Sequence, residues 1–220
     1  MDLQKVKILK IERLTHDVKR FVLKKPSDYA FVPGQAIQLT IDKDGWRDGK
    51  RSFTITSAPD SDFLELIIKE YPEKHGVTEM LHKISEGDYL LISKPFGKFD
   101  YDKSKRKVFI AAGSAITKFL SLLRVLKSSN DINKLNNIIL IYSNKTSGDV
   151  ILEEELKEIF SGAAKNLVLV LTRESKESYI NGRVSEELLR KYVDKESKVS
   201  VCGPPEFIKS MMDFARKIQS

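Results

Sequence analysis

Arg51-Ser52-Phe53-Thr54-Ile55-Thr56-Ser57 puts a cation, an aromatic ring and small hydroxyls into one run of strand-forming residues. Side chains alternate faces along a strand, so Arg51 and Phe53 point one way and Ser52 and Thr54 the other. A strand built this way suits a planar aromatic ligand that carries phosphate. The guanidinium offers a forked donor to phosphate oxygens, the phenyl ring covers a ring face, and a hydroxyl approaches a polar ring edge. Alone, the stretch is a weak signal, and an ordinary strand with a surface Arg is the plainer reading. Its surroundings settle the fold. The runs 18–23, 36–41, 63–69 and 89–93 are also short and rich in β-branched or aromatic residues. Turn residues bound them: Pro33-Gly34, Asp44-Gly45, Asp48-Gly49, Ala58-Pro59-Asp60 and Glu86-Gly87-Asp88. Close-set short strands predict a closed antiparallel β-barrel over residues 1–101, interrupted by one helix at 77–84.

The pattern changes after the polar stretch 101–106, read here as the domain boundary. Apolar runs at 108–112, 138–142, 167–171 and 199–202 alternate with helical patterns at 116–128, 151–160, 185–192 and from 205 to the end. Continuous apolar runs suit strands buried on both faces, and alternation with helices predicts an α/β domain with a parallel sheet over residues 107–220. In the last helix Phe207, Met211, Phe214 and Ile218 share one face, which reads as core packing.

Composition narrows the possible functions. With 41% hydrophobic and 31% charged residues, the 220-residue chain is expected to fold as a globule. No uncharged apolar run approaches the roughly 18–20 residues that span a bilayer. The beginning, Met1-Asp2-Leu3-Gln4-Lys5, lacks the apolar stretch of a secretory signal, so a cytoplasmic protein is expected. A single cysteine, Cys202, excludes an internal disulfide and a four-cysteine iron–sulfur cluster held by this chain alone. The net charge of +7 fits a solvated Lys-rich surface or the steering of an acidic partner protein. Basic residues are dispersed without interleaved aromatics, which argues against nucleic acid. His16, His75 and His82 show no metal-ligand spacing, and Trp46 lies in a predicted turn, where loop packing is its expected role.

Three further motifs carry chemistry. In His75-Gly76-Val77-Thr78 a glycine precedes a helix start, whose unpaired amide donors hold anions; a plain helix cap is the alternative. Gly113-Ser114-Ala115-Ile116-Thr117 follows the first apolar run of the second domain and opens its first helix, where α/β folds receive a nucleotide pyrophosphate. Cys202-Gly203-Pro204-Pro205 closes the last run and starts the last helix, with proline early in the helix as any such turn would have it.

Taken in order, these four motifs resemble the ferredoxin–NADP reductase family of flavoenzymes over nearly the whole chain. The resemblance implies an antiparallel β-barrel flavin-binding domain followed by an α/β parallel-sheet nucleotide-binding domain, with FAD and NAD(P)H as cofactors. It assigns Arg51, Gly76, Val77 and Thr78, with His75 beside them, to the flavin phosphates. Phe53 falls by the flavin ring, and Thr54, with Ser52 alongside, near its hydride-accepting nitrogen. Lys69 and Tyr71 run along the ribityl-phosphate or adenosine part. Gly113 to Thr117 receive the nicotinamide nucleotide, together with Cys202, Gly203 and Pro204, and Cys202 positions the reacting rings. Arg173 falls near a nucleotide 2′-phosphate, where an exposed loop Arg is the alternative, and Ser143 to Thr146 near the ribose. The family pattern is broken twice. Ala115 stands where a second glycine is usual, and Lys118 where proline is usual, either adding charge near phosphate or facing solvent. The implied activity is hydride transfer from NAD(P)H to FAD, then electron transfer to an acidic carrier such as ferredoxin or flavodoxin. Small acceptors such as free flavin or a ferric chelate, and a flavin-bound electron-transfer subunit whose nucleotide site has decayed, are the rival readings.

Overall fold

The computed structural model of the protein describes residues 3–98, 106–129 and 135–220. The stretch read as the domain boundary lies, apart from Arg106, outside the described residues. Two compact units emerge: Met1–Phe99 with Thr117–Val125, and Asp100–Ile116 with Leu126–Ser220.

The first unit is an antiparallel sheet of six strands, β1 (Gln4–Thr15), β2 (Val18–Lys24), β3 (Ala36–Ile41), β4 (Arg51–Thr54), β5 (Phe63–Lys69) and β6 (Tyr89–Ile92), in the order β4-β3-β6-β1-β2-β5. Just past β4, Thr56 N–H donates to the Glu65 carbonyl at 2.9 Å, joining the two ends of the ladder. Alternation drives the closure. Val6 and Ile8 of β1, Leu64, Leu66 and Ile68 of β5, and Leu90 and Ile92 of β6 point into one core with Phe21, Leu23, Ile37 and Leu39. Helix α1 (Val77–Leu81) adds Val77 and Leu81 to that core. β1 is absent from the sequence reading because Lys5, Lys7, Lys10, Glu12 and Arg13 mask its inward residues, and irregularities in its pairing with β2 interrupt its alternation. β4 stops at Thr54, short of the predicted 57, because Ile55 still donates to Gln35 but Thr56 turns to β5.

The second unit carries β7 (Lys107–Ala112), β8 (Ile138–Asn144), β9 (Leu167–Leu171), β10 (Ile180–Asn181) and β11 (Lys198–Cys202), a parallel sheet in the order β10-β9-β8-β7-β11. All seven residues of β8 are buried, as expected of a strand covered on both faces. β11 is half-buried throughout, since it lies at the sheet edge. Helix α2 (Thr117–Ser128) belongs to the first unit through Val125, and the later helices α3 (Glu153–Ile159), α4 (Glu186–Arg190) and α5 (Pro205–Gln219) belong to the second. Strand order reverses at β7, whose neighbours are β8 on one side and the last strand on the other, and such switch points are where open α/β sheets bind ligands. No helix among the described residues is long and apolar enough to cross a membrane.

Candidate functional site

In the barrel unit, β4 pairs with β3 so that Thr54 faces Ala36, Phe53 faces Ile37, Ser52 faces Gln38 and Arg51 faces Leu39. Arg51 and Ser52 are exposed, whereas Phe53 and Thr54 are half-buried, Phe53 resting on the barrel core. Arg51 Nη1 donates only to the carbonyl of Lys50, at 2.8 Å, and no described acid pairs with it. That cation is therefore available to an anion. The start of β4 lies against α1: a Cβ added at Gly49 would sit 2.8 Å from Val77 Cγ2. The Arg51 strand and the Gly76–Thr78 turn are thus neighbours, as the flavin-phosphate reading requires. Gly76 caps α1 in extended conformation and no side chain caps that end. The first amide groups of α1 remain open to a ligand.

Of the other predicted flavin residues, Lys69 and His75 each have an acidic neighbour. Lys69 Nζ pairs with Asp17 at 2.5 Å, so its charge is already matched. His75 adopts a left-handed backbone with φ 43° and its exposed ring lies 3.2 Å from Glu79. Tyr71 stands at the N-cap position of the short 3-10 turn Pro72–Lys74 that leads into the motif, with no capping hydrogen bond from its side chain. Trp46 rests on the barrel core, and its carbonyl accepts from Thr40 Oγ1, a packing role as expected. At the C-cap of α1, His82 is buried. Its Nε2 is 2.9 Å from the Ile68 carbonyl, which can only accept, so Nε2 carries the proton. Desolvation holds the His82 pKa below 6.5, reinforced by the charges of Lys19 and Arg13 and opposed by the Ile68 hydrogen bond and Glu70, 3.2 Å from Nδ1.

In the nucleotide unit, Gly113 to Ile116 form a 3-10 turn directly after β7, and Gly113 takes φ 55°, a conformation natural to glycine. The Cβ position of Gly113 is open, so backbone can approach a ligand there. β11 pairs with β7 with Cys202 opposite Ala111, which brings the Gly113–Ile116 turn and the Cys202–Pro204 turn to the same end of the sheet, at its switch point. Gly203 is required by contact. A Cβ there would lie 2.7 Å from Phe207 Cδ1 and 3.2 Å from Ala112 Cβ. Beside these turns, at the ends of β8 and β9, lies a cavity of about 520 Å³. Lys145, Arg173 and Arg183 line it with Glu206, over a floor that includes Phe207, Met211 and Phe214. The three cations have no acidic partner among the described residues. Two loops are tied together next to it, where Ser147 N–H and Oγ donate to Glu174 at 2.6 and 3.1 Å.

Residues 5–101 match the family model of the oxidoreductase FAD-binding domain, and residues 109–213 that of the oxidoreductase NAD-binding domain. Their order and extent decide the identity. The chain belongs to the ferredoxin–NADP reductase family of flavoenzymes. The NADH-cytochrome b5 reductase 2 of Yarrowia lipolytica is 29% identical to this reductase, covering 94% of this chain and 74% of its own. The flavohaem-like FAD/NAD-binding domain of a nitric oxide dioxygenase from Vibrio cholerae O1 biovar El Tor shares the fold with a TM-score of 0.85 at 18% identity, covering 99% and 94% of the two chains. A ferredoxin NADP+ reductase from Neisseria gonorrhoeae, solved with FAD and NADP, gives a TM-score of 0.80 at 21% identity, covering 99% and 92%. This reductase is a flavin oxidoreductase that uses FAD and NAD(P)H.

The reductase also contains functional candidates that no sequence motif marked. Arg183 and Glu206 reach the cavity only through the sheet order. The apolar stripe of α5 packs on the core as expected, yet Phe207 and Phe214 are half-buried because one side of the stripe walls the cavity. Lys118 takes neither of its two expected roles: its Nζ donates to the Gly34 carbonyl at 3.0 Å.

Proposed function

We propose that this reductase takes its hydride from NADPH and delivers electrons singly to an acidic haem carrier of the cytochrome b5 kind. The cavity lined by Lys145, Arg173 and Arg183 carries the choice of donor. Three unmatched cations around a partly apolar floor suit an adenosine that bears an additional phosphate, and Arg forks match phosphate oxygens. The names of relatives, NADH-cytochrome b5 reductases, favour the haem carrier and are the argument for NADH as the competing donor. A net charge of +7 speeds association with an acidic partner at low salt.

When bound, FAD supplies the chemistry that joins two-electron hydride uptake to one-electron delivery. The residues of the chain bind and orient. Arg51, the first amides of α1 and the Thr78 hydroxyl hold the flavin phosphates. Phe53 packs beside the flavin ring, and the Thr54 hydroxyl, next to Ser52, hydrogen-bonds its polar edge. Gly113 to Thr117 receive the nucleotide with Cys202, Gly203 and Pro204, and Cys202 fixes the approach of the nicotinamide. No dedicated acid or base is needed, because proximity and orientation carry the step.

Anaerobic titration of the FAD-loaded protein with NADPH and NADH, followed by flavin bleaching, tests the donor. Preferential bleaching by NADPH, lost in Arg173→Ala with Arg183→Ala, supports the reading; equal or better reduction by NADH that ignores both substitutions refutes it. Turnover with cytochrome b5 that falls with ionic strength supports the carrier, and turnover confined to ferredoxin, free flavin or ferric chelates refutes it.

A further inference from the structure

A buried charge cluster in the barrel unit is used by none of the motifs above. Glu65 stands on β5 between Leu64 and Leu66, which point into the barrel, so it faces outward, yet only 4% of it is exposed. Its Oε1 accepts from Arg124 Nη1 at 2.6 Å and from Thr56 Oγ1 at 2.7 Å, and its Oε2 lies 3.4 Å from Arg20 Nε. Arg124 Nη1 also donates to the Thr56 carbonyl at 2.8 Å. The next residue is held as closely: Ser57 Oγ accepts from Glu65 N–H at 3.2 Å, and the Ser57 carbonyl accepts from Ser121 Oγ at 2.7 Å. Thr56 and Ser57 are therefore fixed from β5 and from the Thr117–Val125 segment of α2, both within the same unit.

An apolar pair in this place would commonly be as stable or more so, since buried ion pairs seldom repay their desolvation. Apolar residues cannot aim a backbone carbonyl, however, and this cluster aims two of them just after β4. Between the cluster and Thr54 stands only Ile55, whose N–H is held by Gln35 at 3.0 Å. We propose that Glu65 and Arg124 are positioning residues for the flavin-facing end of β4: by fixing Thr56 and Ser57 they orient the Thr54 hydroxyl. This rests on the reading of Thr54 as the hydroxyl at the flavin's polar edge.

The test compares FAD-loaded Arg124→Met, Arg124→Lys, Thr54→Val and the Arg124→Met/Thr54→Val double variant. Rapid-mixing reduction at saturating NADPH and NADH is measured together with visible circular dichroism of the bound flavin and the melting temperature. A displaced hydroxyl is expected to slow the limiting reduction rate about tenfold in Arg124→Met, since misplacement by an ångström costs up to about a hundredfold. Nucleotide affinity stays unchanged, the flavin dichroism changes, and Arg124→Lys recovers most of the rate. The double variant is no slower than Thr54→Val. Arg124→Met that melts earlier but reduces its flavin at the parent rate overturns the proposal, as does a double variant in which the two losses add in full. Should Arg124→Met fail to fold, Thr56→Val removes one hydroxyl of the cluster and is read by the same criteria. Thr54→Val at the parent rate refutes the Thr54 reading itself, whereas a slow Thr54→Val beside a normal Arg124→Met refutes only the positioning role.

Discussion

Gly203→Ala tests how tightly the nucleotide end of the sheet is built. The added Cβ would lie 2.7 Å from Phe207 Cδ1 and 3.2 Å from Ala112 Cβ. Ordinary contact begins at 3.4 Å, so the phenyl ring must retreat by about 0.7 Å. Phe207 is held by the α5 face on the core and also walls the cavity, so the ring is displaced toward the space where nucleotide is read to bind. Overpacking of this kind costs about 1–3 kcal/mol. Gly203 is absent from the positive-φ glycines, so alanine fits its backbone and recovers about 0.4–1 kcal/mol through the unfolded chain. The net loss of about 1–2 kcal/mol corresponds to a fall of roughly 2–8 °C in melting temperature for a chain of this size. Differential scanning fluorimetry of the FAD-loaded protein reads that fall, and the KM for the nicotinamide nucleotide rises with it. Phe207→Leu, which shortens the obstructing ring, is expected to absorb part of the damage, so the double variant is more stable than the sum of the single losses predicts. An unchanged melting temperature and KM in Gly203→Ala, or strict additivity with Phe207→Leu, would refute the contact argument.

Other substitutions address the remaining parts. Arg51→Gln is expected to weaken FAD binding about 10–100-fold, the worth of a charge-assisted hydrogen bond, without shifting the melting temperature of the apoprotein, because Arg51 is exposed and holds only its neighbour's carbonyl; fluorescence titration with FAD checks it. Arg173→Ala and Arg183→Ala should each raise the KM for NADPH and leave that for NADH unchanged, as read by steady-state kinetics. The depressed pKa of His82 means the unfolded chain takes up the proton first as pH falls, so its contribution to stability is full above pH 6.5 and lost progressively below it. His82→Gln should therefore flatten the stability–pH curve between pH 7 and 5, measured by urea denaturation; a slope equal to that of the parent would refute the assignment.

The sequence by itself determined the two-part architecture. Alternation and turn residues specify the barrel strands, continuous apolar runs specify the buried parallel strands, and both are local patterns that a strand's periodicity enforces. Arg51, Gly76, Gly113 and Gly203 stood out in the sequence because a phosphate site would demand a cation, and close backbone approach demands glycine, in short runs. Tertiary structure decided whatever depends on contacts between distant segments. Glu65 has the sequence signature of a solvent-facing strand position, and only the packing of the 117–125 segment over β5 makes it a buried partner of Arg124. Lys118 reads as a cation near phosphate until the fold gives it the Gly34 carbonyl. Arg183 and Glu206 reach one cavity with Arg173 because strand order, which no local pattern encodes, lays β9 and β10 side by side, and α5 lines the same cavity. Burial and partnership are properties of the whole packed chain, so they were settled at that level alone.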